Sequence, residues 1–288
     1  DNMEIWDDMI RSDPENSLYW YKKADCLNHL GSYKESISCY DEAIRLDPEY
    51  RDAWYGKGRA LSEINRNGEA ISCFDEAIRL DPEYLYSWYD KGIALFSLGS
   101  YEEAIRCNDE AIRLDPEHVS SWNNKGYSLF KLGKFEEAIA CYDEAIRLDP
   151  EDTVVLFNKG KALFSLEHPK EAIACFDEAI RLDPEYRDAW ILKGIILLSL
   201  EHPKEAIICA DEGIRLNSER TDAWHTKGTA LFSLGSYKES IRCFDKIIML
   251  NSEYIPAWYY KGDALKELGN DKLAEECFAY AKELEEKE

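Results

Sequence analysis

Apolar residues recur along the chain at helical rather than alternating spacing. In residues 85–118, Trp88, Lys91, Gly92, Leu95 and Leu98 stand at i, i+3, i+4, i+7 and i+10, one face of a helix. Leu98-Gly99-Ser100 then breaks the pattern. A second stripe follows, seen in the next stretch as Ala138, Ile139, Tyr142, Ala145 and Ile146. Asp-Pro-Glu closes it, because Pro cannot continue a helix and the residue before Pro avoids the α region. The pattern predicts two helices, a tight turn between them, and a Pro-marked turn before the next pair. Gly and Ala on both stripes leave room for the two helices to cross closely.

The whole pattern repeats. Trp occurs at 20, 54, 88, 122, 190, 224 and 258, each step being 34 residues or twice 34, and Leu156 holds the one vacant place. Lys-Gly pairs keep the same step from Lys57-Gly58 to Lys261-Gly262, and Asp-Pro pairs from Asp47-Pro48 to Asp183-Pro184. With Ser17 as position 1, residues 17–288 are eight repeats of 34 without insertion. Residues 1–16 keep the phase of a second helix through Trp6, Ile10 and Asp13-Pro14. The expected organisation is thus 1–16 as the second helix of a truncated leading repeat and 17–288 as eight repeats. One helix pair cannot bury both stripes alone, so neighbours must stack.

These residues resemble the tetratricopeptide repeat, over essentially the whole chain. That pattern has Trp at 4, Gly at 8, Ala at 20, an aromatic at 24, Ala at 27 and Pro at 32; the third repeat here reads Trp88, Gly92, Ala104, Asn108, Ala111 and Pro116. Lys at 7 and Leu at 11 depart from the pattern in every repeat, giving an archaeal-looking variant. Asn108 and Ala210 depart at 24, and Ser218 and Ser252 replace the Pro. The resemblance implies an all-α, right-handed superhelical solenoid of antiparallel helix pairs. Positions 21 and 28 are Ile in repeats one to seven and become Glu275 and Lys282 in the last, as suits a polar cap where stacking stops.

Composition removes several functions. Acidic residues outnumber basic ones 58 to 35, a net charge of −23, which opposes binding to a phosphate backbone. Hydrophobic residues make up 45% and aromatic residues 12%, too many for a disordered acidic chain. There is no apolar run of 18 residues and no signal-peptide pattern at the start, so no membrane partner is expected. Eight of the nine Cys occupy position 23, one per repeat, with a helix between successive copies. That separation exceeds disulfide reach, and no two Cys have metal-ligand spacing. Small packing residues in a reducing, cytoplasmic compartment are expected instead.

Catalytic motifs are missing. There is no Gly-rich phosphate loop, nucleophile elbow or His-Glu-x-x-His pattern, so neither enzyme activity, cofactor nor metal is expected. His168 and His202 recur in equivalent turns, which duplication explains. Lys at position 7 lies on an otherwise apolar stripe; its stem is expected to pack while the amine reaches a carboxylate of a second helix.

Variation concentrates on positions 2, 5, 6, 9, 12 and 13 of the first helix. In tetratricopeptide arrays this face lines a concave groove that holds a partner peptide or helix. Repeats three to six place aromatic and aliphatic residues there. The expected contact set is Tyr89, Phe96, Tyr127, Phe130, Phe157 and Phe164 as apolar anchors, with Asn124 and Asn158 binding partner backbone. The carboxylate clamp of some family members is excluded, because no repeat has Lys at 5 or Asn at 9. The expected function is a protein–protein interaction scaffold or adaptor. The alternatives are an array that self-associates through its exposed N-terminal edge, or the sensor part of a larger protein. The six groove positions carry eight acids and five bases, so most of the acidity lies elsewhere.

Overall fold

The structure, a computed structural model, describes residues 2–287; Asp1 and Glu288, the outer limits of the expected domains, lie outside the described residues. Within them are seventeen helices and no strand. The chain divides into two compact units, Asp1–Pro150 and Glu151–Glu288.

The first unit holds α1 (Asn2–Ser12), α2 (Ser17–His29), α3 (Tyr33–Leu46), α4 (Arg51–Glu63), α5 (Asn67–Leu80), α6 (Leu85–Ser97), α7 (Tyr101–Leu114), α8 (Val119–Lys131) and α9 (Phe135–Leu148). The second holds α10 (Thr153–Ser165), α11 (Pro169–Leu182), α12 (Arg187–Ser199), α13 (Pro203–Leu216), α14 (Thr221–Ser233), α15 (Tyr237–Leu250), α16 (Ile255–Glu267) and α17 (Asp271–Glu285). In both units each even-numbered helix packs on the odd-numbered one after it, and that second helix packs on the next first helix. The 34-residue spacing therefore appears as stacked helix pairs, and the small residues make it possible. Ala43, Ala53, Ala60, Ala70 and Ala77 are fully buried where α3, α4 and α5 meet.

Two devices shape each turn. Between the helices of a pair, position 15 is left-handed, and the amide two residues past the helix cap bonds back to position 11: Ser32 N to Leu27 O at 2.9 Å, Ser100 N to Leu95 O at 3.0 Å, Ser236 N to Leu231 O at 2.9 Å. This is the Schellman closure, for which Gly is preferred because it has no Cβ to clash. Gly31, Gly99, Gly133, Gly235 and Gly269 supply it, but Asn65, Glu167 and Glu201 adopt φ of 59–61° without being glycine. Glu201→Gly is expected to raise stability by about 1 kcal/mol, read as a higher urea midpoint. The gain from relieved strain is partly offset by the freer unfolded chain.

Between pairs, the Trp ladder explains itself. The indole Nε1 of Trp54 donates to Pro48 O at 2.9 Å, and Trp20, Trp88, Trp122 and Trp190 do the same to Pro14, Pro82, Pro116 and Pro184. The acceptor is a backbone carbonyl, so loss of the Pro ring is tolerated: Trp224 and Trp258 bond Ser218 O and Ser252 O at 2.9 Å. The position-7 lysines join successive pairs as expected. Lys57 Nζ lies 2.6 Å from Asp41, Lys125 2.6 Å from Asp109, Lys193 2.5 Å from Asp177 and Lys261 2.6 Å from Asp245. The stems are three-quarters covered, while the carboxylates are about half exposed. Such bridges contribute a few tenths of a kcal/mol to about 1 kcal/mol each and chiefly fix how one pair sits on the next.

Candidate functional site

The nine Cys are unbridged, and all but Cys26 and Cys175 are buried. Burial pushes the thiols of Cys73, Cys107, Cys141, Cys209 and Cys243 up to about 11, well away from the thiolate needed for nucleophilic chemistry. Among the described residues no group of three His, Cys, Asp or Glu is placed to hold a metal ion. His168 and His202 turn to the carboxylates of Glu171 and Glu205 three residues on, at 2.7 and 3.2 Å.

The variable face of the first helices is different in character. In the first unit, Phe96 of α6 and Tyr127 of α8 stack with ring centroids 5.0 Å apart and 25° between planes. Phe130, one turn further along α8, continues the stack at 6.3 Å and 15°. Tyr101 and Phe135, at the starts of α7 and α9, support Phe96 and Phe130 from below at 5.2 and 5.4 Å. Next to this stack lies a pocket of about 260 Å³, lined by Tyr89, Gly92, Ile93, Phe96, Asn108, Asn124, Tyr127 and Ser128. Five of the expected contact residues, Tyr89, Phe96, Asn124, Tyr127 and Phe130, are thus brought together on α6 and α8. The 3.6-residue period explains this: positions 5, 9 and 12 lie at successive turns of one edge of the helix.

The second unit treats its three expected residues differently. Phe164 is 40% exposed, as befits a contact residue. Phe157 is drawn inward, its ring 5.7 Å from Phe176 and 5.1 Å from Tyr186, and is half-buried. Asn158 is only 8% exposed and is in no position to offer its amide freely. Phe157 is thus as half-buried as Phe96 and Phe130, whereas Asn158 is nearly covered. Position 5 sits at the border between the two helix faces, and a long ring there reaches the second helix of its own repeat. Tyr21 on Tyr40 and Tyr55 on Phe74, at 6.0 and 6.1 Å, do the same.

Part of the charge on this face is internally paired. A polar pocket of about 370 Å³ between repeats one and two is lined by Tyr21, Asp25, Arg51, Asp52, Tyr55 and Arg59 among others, and Arg51 lies 2.9 Å from Asp52. Tyr55 donates its hydroxyl to Asp90 at 2.7 Å, while burial raises the Asp90 carboxyl above the usual carboxylate range. Arg220 bridges Asp188 at 2.9 Å and Asp222 at 2.5 Å. The aromatic stack of α6 and α8 carries no formal charge of its own, and Lys131 Nζ lies 5.4 Å from the centroid of the Tyr127 ring.

Two histidines give the fold a pH dependence. His225, at position 5, lies 5.2 Å from the ring of Tyr260 and 6.0 Å from those of Phe244 and Tyr254, and burial lowers its pKa; burial also lowers that of His118. As the pH falls below about 6.5, the unfolded chain takes up protons that the folded chain refuses. The contribution of these groups is therefore present above that value and lost as the pH falls toward the lowered folded value. Position 5 is Tyr in four repeats, so His225→Tyr should fold and should lose less melting temperature than the wild type between pH 7.5 and 5.

Comparison with known proteins agrees with the helix pairs. Models of the tetratricopeptide repeat match residues 4–50, 33–84, 55–118, 119–152, 154–186, 221–254 and 255–288. The chain belongs to the tetratricopeptide repeat family. A search of the curated proteins finds no match. Among solved structures, YrrB, described as a tetratricopeptide repeat protein with an unusual peptide-binding site, is 23% identical with a TM-score of 0.57 over 65% of this chain and 96% of its own. MamA from Desulfovibrio magneticus RS-1 is 24% identical with a TM-score of 0.57, over 59% of this chain and 96% of its own. The C-terminal part of a repeat protein from Cytophaga hutchinsonii is 15% identical with a TM-score of 0.69, over 82% and 97%. At these identities the likeness establishes the fold: an all-α array of antiparallel helix pairs. No helix among the described residues is long and apolar enough to cross a membrane.

Proposed function

We propose that this chain is a non-catalytic protein-interaction scaffold whose first-helix face holds a peptide or helical segment of a partner protein. The repeats that present this face are read as residues 17–288, eight in number. The contact set is Tyr89, Phe96, Asn124, Tyr127 and Phe130 in the first unit, with Phe157 and Phe164 as anchors in the second. One observation carries this reading: the stack of Phe96, Tyr127 and Phe130 beside an open pocket of about 260 Å³. Aromatic rings bordering a pocket are the side chains on which binding energy concentrates. The net charge of −23 favours a protein partner over nucleic acid, and the unbridged cysteines suit a reducing location such as the cytoplasm.

The reading is tested by selecting peptides from a random display library on the full chain. Selected peptides should bind one to one, and each should protect the α6–α8 face from labelling. The rival reading, self-association, predicts instead a particle size that grows with concentration and is indifferent to changes at Phe96 and Phe130.

A further inference from the structure

Repeats one and two form another cavity, between α2 and α4. It measures about 370 Å³ and shares no lining residue with the pocket beside the aromatic stack. Pockets that hold small molecules run from roughly 300 to 1,000 Å³, mostly with apolar walls. Here the walls carry charge: Asp25 stands on the α2 side, and Arg51, Asp52 and Arg59 on the α4 side. Tyr40 closes the floor. It is 1% exposed and lies so closely on Gly56 that a Cβ there would stand 2.5 Å from its ring.

Arg51 is satisfied from within the protein. It bridges Asp52 at 2.9 Å, and its guanidinium lies 3.7 Å from the centroid of the Tyr84 ring. Asp25 and Arg59 are not satisfied in this way. Asp25, with its side chain 40% exposed, meets the imidazole of His29 at 3.7 Å and bridges no Lys or Arg among the described residues. Arg59 is exposed, leans over the ring of Tyr55 at 5.9 Å, and bridges no carboxylate among the described residues. Glu63 stands one turn further along α4, but Arg before Glu is the weaker order for such a pair, and the guanidinium stays on the ring. Asp90, the other acid near Arg59, accepts from the Tyr55 hydroxyl at 2.7 Å. Asp25 and Arg59 nevertheless act on one point. Burial pushes the Tyr40 hydroxyl up, Asp25 adds to that rise, and Arg59 opposes it. The two charges face the same floor from opposite walls without meeting.

We propose that this cavity binds a free α-amino acid as its zwitterion, the ammonium donating to Asp25 of α2 and the carboxylate accepting from Arg59 of α4. Both contacts are charge-assisted hydrogen bonds, and both protein groups are open to solvent. The side chain of the amino acid lies against the rings of Tyr21 and Tyr55, which line the same cavity. A lone cation at Asp25 would stand near Arg51 and Arg59. A lone anion at Arg59 would stand near Asp25 and Asp52, in a chain of net charge −23. A zwitterion answers both walls and leaves the charge of the lining, two Arg against two Asp, in balance. The site is independent of peptide binding at α6 and α8.

The experiment titrates the full chain at low salt with each of the twenty L-amino acids, to about 10 mM, and follows the amide NMR spectrum. The expected result is shifts at Asp25, Asn28, Gly56 and Arg59 with at least one of them. The tightest binder is then compared with its carboxamide, which lacks the carboxylate, and its N-acetyl form, which lacks the ammonium. Each should bind about tenfold more weakly or worse. Asp25→Asn should lose the preference over the N-acetyl form and keep the preference over the carboxamide; Arg59→Gln should do the reverse. Position 9 is Asp, Arg, Ile, Tyr, Lys or Thr across the repeats, so both variants should fold. No shift at these residues with any of the twenty, equal binding of the capped forms, or undiminished binding in either variant would overturn the proposal. That failure would leave peptide capture at the α6–α8 face standing, since the two sites share no residue.

Discussion

Phe176→Ala is expected to destabilise the second unit by about 3–5 kcal/mol, the cost of removing a fully buried ring. The ring stands against Gly160 with no slack: a Cβ there would lie 2.7 Å from it. Gly160→Ala should therefore also destabilise, by about 1–3 kcal/mol, because the ring is held by Phe157 and cannot swing away freely. The two changes together should cost less than their sum, since the new methyl enters the space that the lost ring leaves. Urea unfolding followed by circular dichroism measures each variant, and hydrogen exchange locates the loss. In a stacked array each repeat touches only its neighbours, so faster exchange should concentrate in α10 and α11. Strict additivity would mean that glycine and ring are not the matched pair described.

The second large effect concerns binding. Phe96→Ala together with Phe130→Ala should weaken a display-selected peptide by 100-fold or more, if each ring contributes the 2 kcal/mol or so of a typical anchor. Helical content should stay near that of wild type, because both rings are half-buried and lie outside the ladder of position-24 rings. Phe164→Ala, on the second unit, separates partners that reach along the chain from those confined to repeats three and four. Unchanged affinity in the double variant would move the site off α6 and α8.

Much of the architecture was legible in the spacing of residues. Trp at 34-residue steps, Gly or Ala where helices cross, and Asp-Pro at the closing turn each have a local physical cause, and local causes can be read from sequence. The Lys–Asp ladder followed similarly, since a lysine on an apolar stripe needs a carboxylate within reach. What could not be read were choices that depend on a neighbour's bulk. Phe157 and Phe96 are both phenylalanines on variable positions, yet Phe157 turns in because Phe176 offers it a ring to pack on. Asn158 looked equivalent to Asn124 by position, but one is nearly covered and the other lines a pocket. The departures at Asn108 and Ala210 were visible as departures. That Asn108 and Gly92 line a pocket is a matter of three-dimensional packing. Left-handed geometry at Glu167 and Glu201 was likewise hidden, because Glu does not advertise it, whereas Asn65 is of a type that tolerates it.

The most direct measurement of the central claim is the footprint of a selected peptide on the full chain, mapped by amide and aromatic NMR shifts. Shifts concentrated at Tyr89, Phe96, Asn108, Asn124, Tyr127 and Phe130, and absent in Phe96→Ala/Phe130→Ala, are predicted. Shifts confined to the outer faces of the second helices, with this cluster silent, would contradict it.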